Sequence, residues 1–130
     1  PGDKPEFDAV SSIADLERRL SDGTGDATML YFTADWCVTC RSIDRSVFPD
    51  PTVQQSLEGL QLLKADVTDF DQQHAELMYQ LQVVGPPTFL FFGAHARETP
   101  STRLVGGASA TSLARSAELV RSSSEKEPAS

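Results

Sequence analysis

The sequence predicts an α/β domain built on a central mixed β-sheet flanked by helices. Three observations carry that expectation. Strand-like and helix-like runs alternate along most of the chain. The runs Met29 to Thr33 and Thr88 to Phe92 are largely apolar without polar alternation, as strands buried on both faces are. The last two strand-like runs are joined by the loop Gly93 to Pro100, close enough for an antiparallel hairpin.

Pro1 to Asp8 reads as a loose lead-in to a single domain over 9–121. Ile13, Leu16 and Leu20 recur at helical spacing and Gly23 offers a stop, which predicts a first amphipathic helix. The strand Met29 to Thr33 leads into Trp36-Cys37-Val38-Thr39-Cys40, and Cys37 to Val47 is expected to form the next helix. Pro49, Asp50 and Pro51 break the chain; Asp50 is a suitable N-cap and Pro51 suits the first position of a short helix through Val53 to Leu57. A strand over Leu60 to Val67 follows. Asp71 can cap a helix over Gln72 to Leu81, whose Ala75, Leu77, Met78 and Leu81 form an apolar face. Gly85-Pro86-Pro87 makes a turn into Thr88 to Phe92, expected in the interior of the sheet, and a further strand lies around Arg103 to Val105. Leu113, Ala117 and Val120 mark a last helix, and residues 122–130, rich in serine and charge, read as a disordered tail.

Composition narrows the function. A chain of 130 residues with 39% hydrophobic content can bury one core. The formal charge of −8, with no clustered basic patch, argues against nucleic acid. No apolar stretch approaches the roughly twenty residues needed to span a bilayer, and no signal peptide opens the chain. It begins on Pro1 rather than methionine, as expected of an excised domain or a processed product.

Cys37 and Cys40 are the only cysteines. Two intervening residues let both sulfurs meet across one helical turn, so the pair can open and close as a disulfide without moving the fold. Cys37 falls at the start of the expected helix, where unpaired N–H groups and the helix dipole favour a thiolate, the nucleophile of disulfide exchange. Cys40, a turn further in, is expected to be more buried and to act as the resolving thiol. The same spacing supplies half of many zinc sites, but four ligands are normally needed, no second pair exists, and His74 and His95 are both distant in sequence. No metal and no organic cofactor is implied; the electrons reside on the two sulfurs.

Ala34-Asp35-Trp36-Cys37-Val38-Thr39-Cys40 and Gly85-Pro86-Pro87-Thr88, in this order of elements, resemble the thioredoxin superfamily over roughly Asp8 to Val120. Within it, Ala34-Asp35-Trp36-Cys37, Phe48-Pro49-Asp50-Pro51-Thr52-Val53, Lys64-Ala65-Asp66-Val67-Thr68 and Gly85 to Phe92 are most similar to the C-terminal periplasmic domain of the DsbD thiol:disulfide interchange family. The resemblance implies a thioredoxin-like fold. It also implies a protein-disulfide reductase that takes electrons from a membrane-embedded domain and hands them to an N-terminal periplasmic domain of the same polypeptide, serving disulfide isomerases and cytochrome maturation. It would be a soluble, monomeric periplasmic domain of an inner-membrane protein. A general thioredoxin-like reductase, a noncatalytic adaptor and a disulfide-forming oxidant remain as alternatives, because sequence does not set the direction of electron flow.

By the same resemblance Cys37 forms the mixed disulfide and Cys40 displaces it. Trp36, Val38 and Thr39 face the partner, although Trp36 also suits plain packing, and Pro87 is the cis-proline beside the active site. Two departures from the family pattern stand out. Pro86, ahead of the cis-proline, has no N–H and keeps only its carbonyl for a partner strand. Tyr31 stands six residues before Cys37, where the family often has a buried aspartate. Asp44, four residues after Cys40, shares its helical face and is the candidate to tune the thiols and accept the Cys40 proton, or else is a solvated surface aspartate. The family usually carries glutamate there. Asp35 is a weaker candidate for the same tuning, and Arg41 could steer an acidic partner or merely decorate the surface.

Overall fold

A computed structural model describes residues 6–22, 27–93 and 96–126. The elements are β1 (Asp8–Ala9), α1 (Ile13–Asp22), β2 (Thr28–Thr33), α2 (Val38–Ser46), α3 (Pro51–Leu57), β3 (Gln61–Asp66), α4 (Gln72–Leu81), β4 (Thr88–Phe92), β5 (Leu104–Val105) and α5 (Ala110–Lys126). The sheet has five strands in the order β1-β3-β2-β4-β5. β1 and β2 run parallel to β3, β4 runs antiparallel to β2, and β5 runs antiparallel to β4. The sheet is mixed, as the hairpin loop predicts.

Every residue of β2 and β4 is buried, so both faces of these strands are covered and neither shows polar alternation. α1 packs with α4, and α3 with α5. Along the row that crosses the sheet, Phe89 pairs with Tyr31 and Tyr31 with Lys64, which puts these side chains on one face. Tyr31 and Phe89 stack at 4.5 Å, Phe48 meets Tyr31 edge-on at 5.3 Å, and Phe7 joins the cluster at 5.4 Å from Phe48. The Lys64 ammonium lies 4.9 Å from the centre of the Phe7 ring.

The caps expected from sequence are in place. The Asp50 carboxylate accepts from the Thr52 N–H at 2.8 Å, with Pro51 in the first turn of α3, and the Asp71 carboxylate accepts from the His74 N–H at 2.9 Å. At the other end of α4, Gln82 takes a left-handed conformation with φ 56°. There the Arg103 guanidinium donates to the Leu81 and Gln82 carbonyls at 3.0 Å each while it pairs with Glu98.

The structure departs from the expectations at the edges. β1 is an additional edge strand in what reads as lead-in; two residues are too few to show a period. Phe7 packs into the core cluster instead of lying loose. α2 begins at Val38, with Cys37 as its N-cap instead of its first turn. α5 continues past Arg121 to Lys126, into the stretch assigned to the tail, because no proline or glycine interrupts the chain before Pro128. The expected stop at Gly23, His95, most of the lead-in (1–5) and the tail residues 127–130 lie outside the described residues. Among the described residues no helix is long and apolar enough to cross a membrane.

Candidate active site

β2 ends at Thr33, and the chain turns through Ala34, Asp35 and Trp36 before α2 starts. The Cys37 N–H donates to the Ala34 carbonyl at 3.1 Å, which closes that turn. Cys37 has extended backbone angles (φ −89°, ψ 104°) and caps α2 through its sulfur, which accepts from the Cys40 N–H at 3.1 Å. A sulfur in this position receives a backbone donor and the positive end of a helix, both of which favour its thiolate. Cys37 and Cys40 form a disulfide with their Cα atoms 5.2 Å apart. Cys37 retains 7% of its surface and Cys40 none, so an incoming thiolate meets Cys37.

The turn before the cysteines is pinned to the end of β3. The Thr68 hydroxyl accepts from the Asp35 N–H at 2.8 Å, and the Thr68 carbonyl accepts from Trp36 Nε1 at 3.0 Å. Thr68 is itself held by the Asp66 carboxylate, which accepts its N–H at 3.0 Å. Sequence reasoning quoted Asp66 and Thr68 only as part of a resemblance. The available signal was local: an aspartate two residues before a threonine favours a side-chain-to-backbone turn.

The Pro86–Pro87 peptide is cis. Pro87 immediately precedes the Thr88–Phe32 pair, which brings the Gly85-Pro86-Pro87 turn to the end of β2 from which the cysteine loop departs. The Pro87 carbonyl accepts from the Gly106 N–H at 2.9 Å, and Thr88 Oγ1 donates to the Gly85 carbonyl at 2.6 Å. Trp36 is 59% exposed and Val38 76% exposed. Thr39, Arg41 and Asp35 are also exposed, and Asp35 meets its neighbours through its backbone N–H. His74 is buried at the start of α4, with Nδ1 3.4 Å from the Asp71 carboxylate.

Asp44 is half-buried, and its carboxylate accepts from the Tyr31 hydroxyl at 3.3 Å; the same hydroxyl lies 3.4 Å from the Cys40 carbonyl. Sequence reasoning treated Tyr31 as the loss of a carboxylate and missed this contact, since spacing along the chain cannot show a strand reaching a helix. Burial pushes the Tyr31 phenol well above its ordinary value of 10.0; a hydrogen bond from the Thr33 side chain opposes the rise, and the negative charge of Asp44 adds to it. A group whose proton is held more tightly when folded stabilises the fold fully below its unfolded value and loses that contribution as pH rises. The stability difference between the parent and Tyr31→Phe should therefore narrow above about pH 10. Urea midpoints of both proteins at about pH 8 and about pH 11 check this, and a constant gap refutes it.

A family model described as Thioredoxin-like matches residues 15–94. Over 100 residues the chain is 43% identical to the thiol:disulfide interchange protein DsbD of Salmonella choleraesuis, covering 77% of this chain and 18% of that protein. It is 40% identical to the protein of the same name from Yersinia enterocolitica, covering 77% of this chain and 17% of that one. The chain thus spans less than a fifth of the length of the curated relatives it matches. Among solved structures, the C-terminal domain of Neisseria meningitidis DsbD in the oxidised form superposes with a TM-score of 0.71 at 22% identity, covering 89% of this chain and all of that one. Fasciola hepatica thioredoxin superposes with a TM-score of 0.69 at 25% identity, covering 88% and 99%. The fold expected from the sequence is the fold observed.

Proposed function

The chain belongs to the thioredoxin-like family and is a thiol–disulfide exchange domain, and from that premise we propose that it is the reductant relay of a DsbD-like polypeptide. In this reading it draws electrons from a membrane-embedded dithiol domain and passes them to a periplasmic domain of the same protein. Its place is the periplasm, as a soluble domain of an inner-membrane protein. No organic cofactor takes part. The observation that carries the reading is the asymmetry of the pair: Cys37 is accessible and capped by a backbone N–H, whereas Cys40 is sealed. The 43% identity to the thiol:disulfide interchange protein DsbD supports the reading.

In the reduced protein the Cys37 thiolate attacks a partner disulfide. A Cys37–partner bond forms and the other partner sulfur leaves as a thiolate that takes up a proton. Cys40 then gives its proton to a base, and its thiolate attacks the Cys37 sulfur. The Cys37–Cys40 bond forms, the second partner sulfur leaves, and the partner disulfide is reduced by two electrons while the pair is oxidised. Asp44, on the Cys40 face of α2, is the base in this reading. Trp36, Val38 and Thr39 form the docking rim, and the partner strand is held by one backbone bond, to the Pro86 carbonyl.

The close match in TM-score to a thioredoxin favours a second reading, a general disulfide reductase. The test is the reduction potential of the pair, measured in graded thiol/disulfide buffers with alkylation and mass counting. A reductant is expected near about −270 mV or somewhat higher; a value near about −120 mV marks an oxidant and overturns the relay. Fast insulin reduction supported by a thioredoxin reductase favours the general reductase.

A further inference from the structure

The Tyr31 ring is fully buried and held on three sides, stacked on Phe89 at 4.5 Å, with Phe48 edge-on at 5.3 Å and Phe7 at 6.0 Å. A ring so confined cannot swing, and its hydroxyl is aimed across from β2 onto α2. There it meets two acceptors, the Asp44 carboxylate at 3.3 Å and the Cys40 carbonyl at 3.4 Å. One phenolic proton cannot serve both fully, and both distances exceed the usual ~2.7–2.8 Å for O–H···O bonds, as a shared proton requires. Among the described residues Tyr31 is the one side chain that hydrogen-bonds the Asp44 carboxylate. The other charged group in register with Tyr31 on this face is Lys64, whose ammonium lies over the Phe7 ring and forms no ion pair with Asp44. On α2, Arg41 and Arg45 are exposed.

We propose that Tyr31 is a positioning residue for thiol exchange: its hydroxyl holds the Asp44 carboxylate on the Cys40 side of α2, ready to receive the Cys40 proton. The inference rests on the reading of Asp44 as the base for Cys40. Aspartate is short, and a half-buried carboxylate without this contact is free to turn to water. A donor that stays protonated fixes it without adding a second negative charge beside the thiols. The second acceptor completes the device. When Asp44 takes the Cys40 proton and becomes neutral, it is a weaker acceptor, and the phenolic proton shifts to the Cys40 carbonyl instead of being left unpaired in the core. Return of the proton to solvent restores the first arrangement. The balanced step is unchanged: Cys40 loses a proton to Asp44, its thiolate displaces the partner from Cys37, and the partner sulfur leaves with the electron pair.

The test is a double-mutant cycle with Tyr31→Phe and Asp44→Asn in the reduced protein, using the aromatic disulfide 5,5′-dithiobis(2-nitrobenzoate) as probe. Attack by Cys37 releases one coloured thiolate, and resolution by Cys40 releases the second, so the two steps are read as two phases. Asp44→Asn is expected to slow the second phase at neutral pH by about a hundredfold and to make it rise steadily with pH. Tyr31→Phe, which keeps the ring, is expected to slow the same phase by about fivefold with the same change in pH profile. The double variant should be no slower than Asp44→Asn alone. If Asp44→Asn shifts the profile and Tyr31→Phe does not, or if the two effects multiply in the double variant, the Tyr31 proposal fails while the Asp44 reading stands. If Asp44→Asn leaves the profile unchanged, both fail.

Discussion

Cys40→Ser is expected to turn the domain from a turnover catalyst into a trap. Cys37 keeps its exposed sliver of surface and its place at the start of α2, so attack on a partner disulfide proceeds. Without Cys40 nothing inside the protein displaces the partner, and the mixed disulfide accumulates at one equivalent per chain. Turnover should fall on the order of 10³-fold or more, as when a member of a catalytic unit is removed. Cys37→Ser should behave differently. Cys40 has no exposed surface, so this variant should form no adduct at a comparable rate. Intact mass after mixing with a disulfide peptide separates the two, and rapid adduct formation through Cys40 would overturn the assignment of roles. The trapped Cys40→Ser complex also reports docking geometry. A partner strand should make one backbone bond, to the Pro86 carbonyl, and rest its side chains on Trp36 and Val38, because Pro86 has no N–H to give. Two backbone bonds at Pro86 would show that its position in the interface is misread.

The chemistry was legible in the sequence because it depends on residues close together in the chain. Cys37 and Cys40 lie within one turn, and the Asp50 and Asp71 caps act two or three residues away; the cis bond at Pro87 follows from the resemblance and not from spacing. The strands β2 and β4 were legible for a different reason: burial on both faces leaves an unbroken apolar run. What escaped depends on contacts between elements. In sequence Asp44 reads equally as a thiol-tuning carboxylate or a solvated surface aspartate, and Tyr31 reads as a missing acid. Only the pairing of β2 beneath α2 shows that the phenol reaches across to the carboxylate. Thr68 is similar, since its bonds to Asp35 and Trp36 span 33 and 32 residues. β1 was missed because its two residues gain their place from pairing with β3 and carry no pattern of their own. α5 runs past Arg121 because polarity alone does not stop a helix: serine, glutamate and lysine tolerate one when no breaker intervenes.

Phe89→Ala should cost about 3–5 kcal/mol of folding stability, the range for truncating a buried aromatic ring. Phe89 is fully buried in β4, stacks on Tyr31 at 4.5 Å with an interplanar angle of 2°, and meets Phe48 edge-on at 6.2 Å. Its loss leaves a void between a strand and the aromatic cluster, where paired strands on either side resist collapse. Against a total stability of roughly 5–15 kcal/mol, that is a large fraction, and the thermal midpoint should fall by about 10–20 °C. Urea unfolding checks the cost, with an unchanged slope showing that the native state remains compact. A loss below about 1 kcal/mol would mean that the cluster is not a structural support. The consequence reaches the active site. The Phe89 ring is the face against which Tyr31 lies, so its removal frees the phenol to tilt away from Asp44. Under conditions where Phe89→Ala is still folded, its Cys40 phase should slow as in Tyr31→Phe, while attack by Cys37, held by the turn at Ala34 and the Thr68 bonds, keeps its rate. Equal slowing of both phases would instead locate the damage in the fold at large and separate the aromatic cluster from the chemistry of the pair.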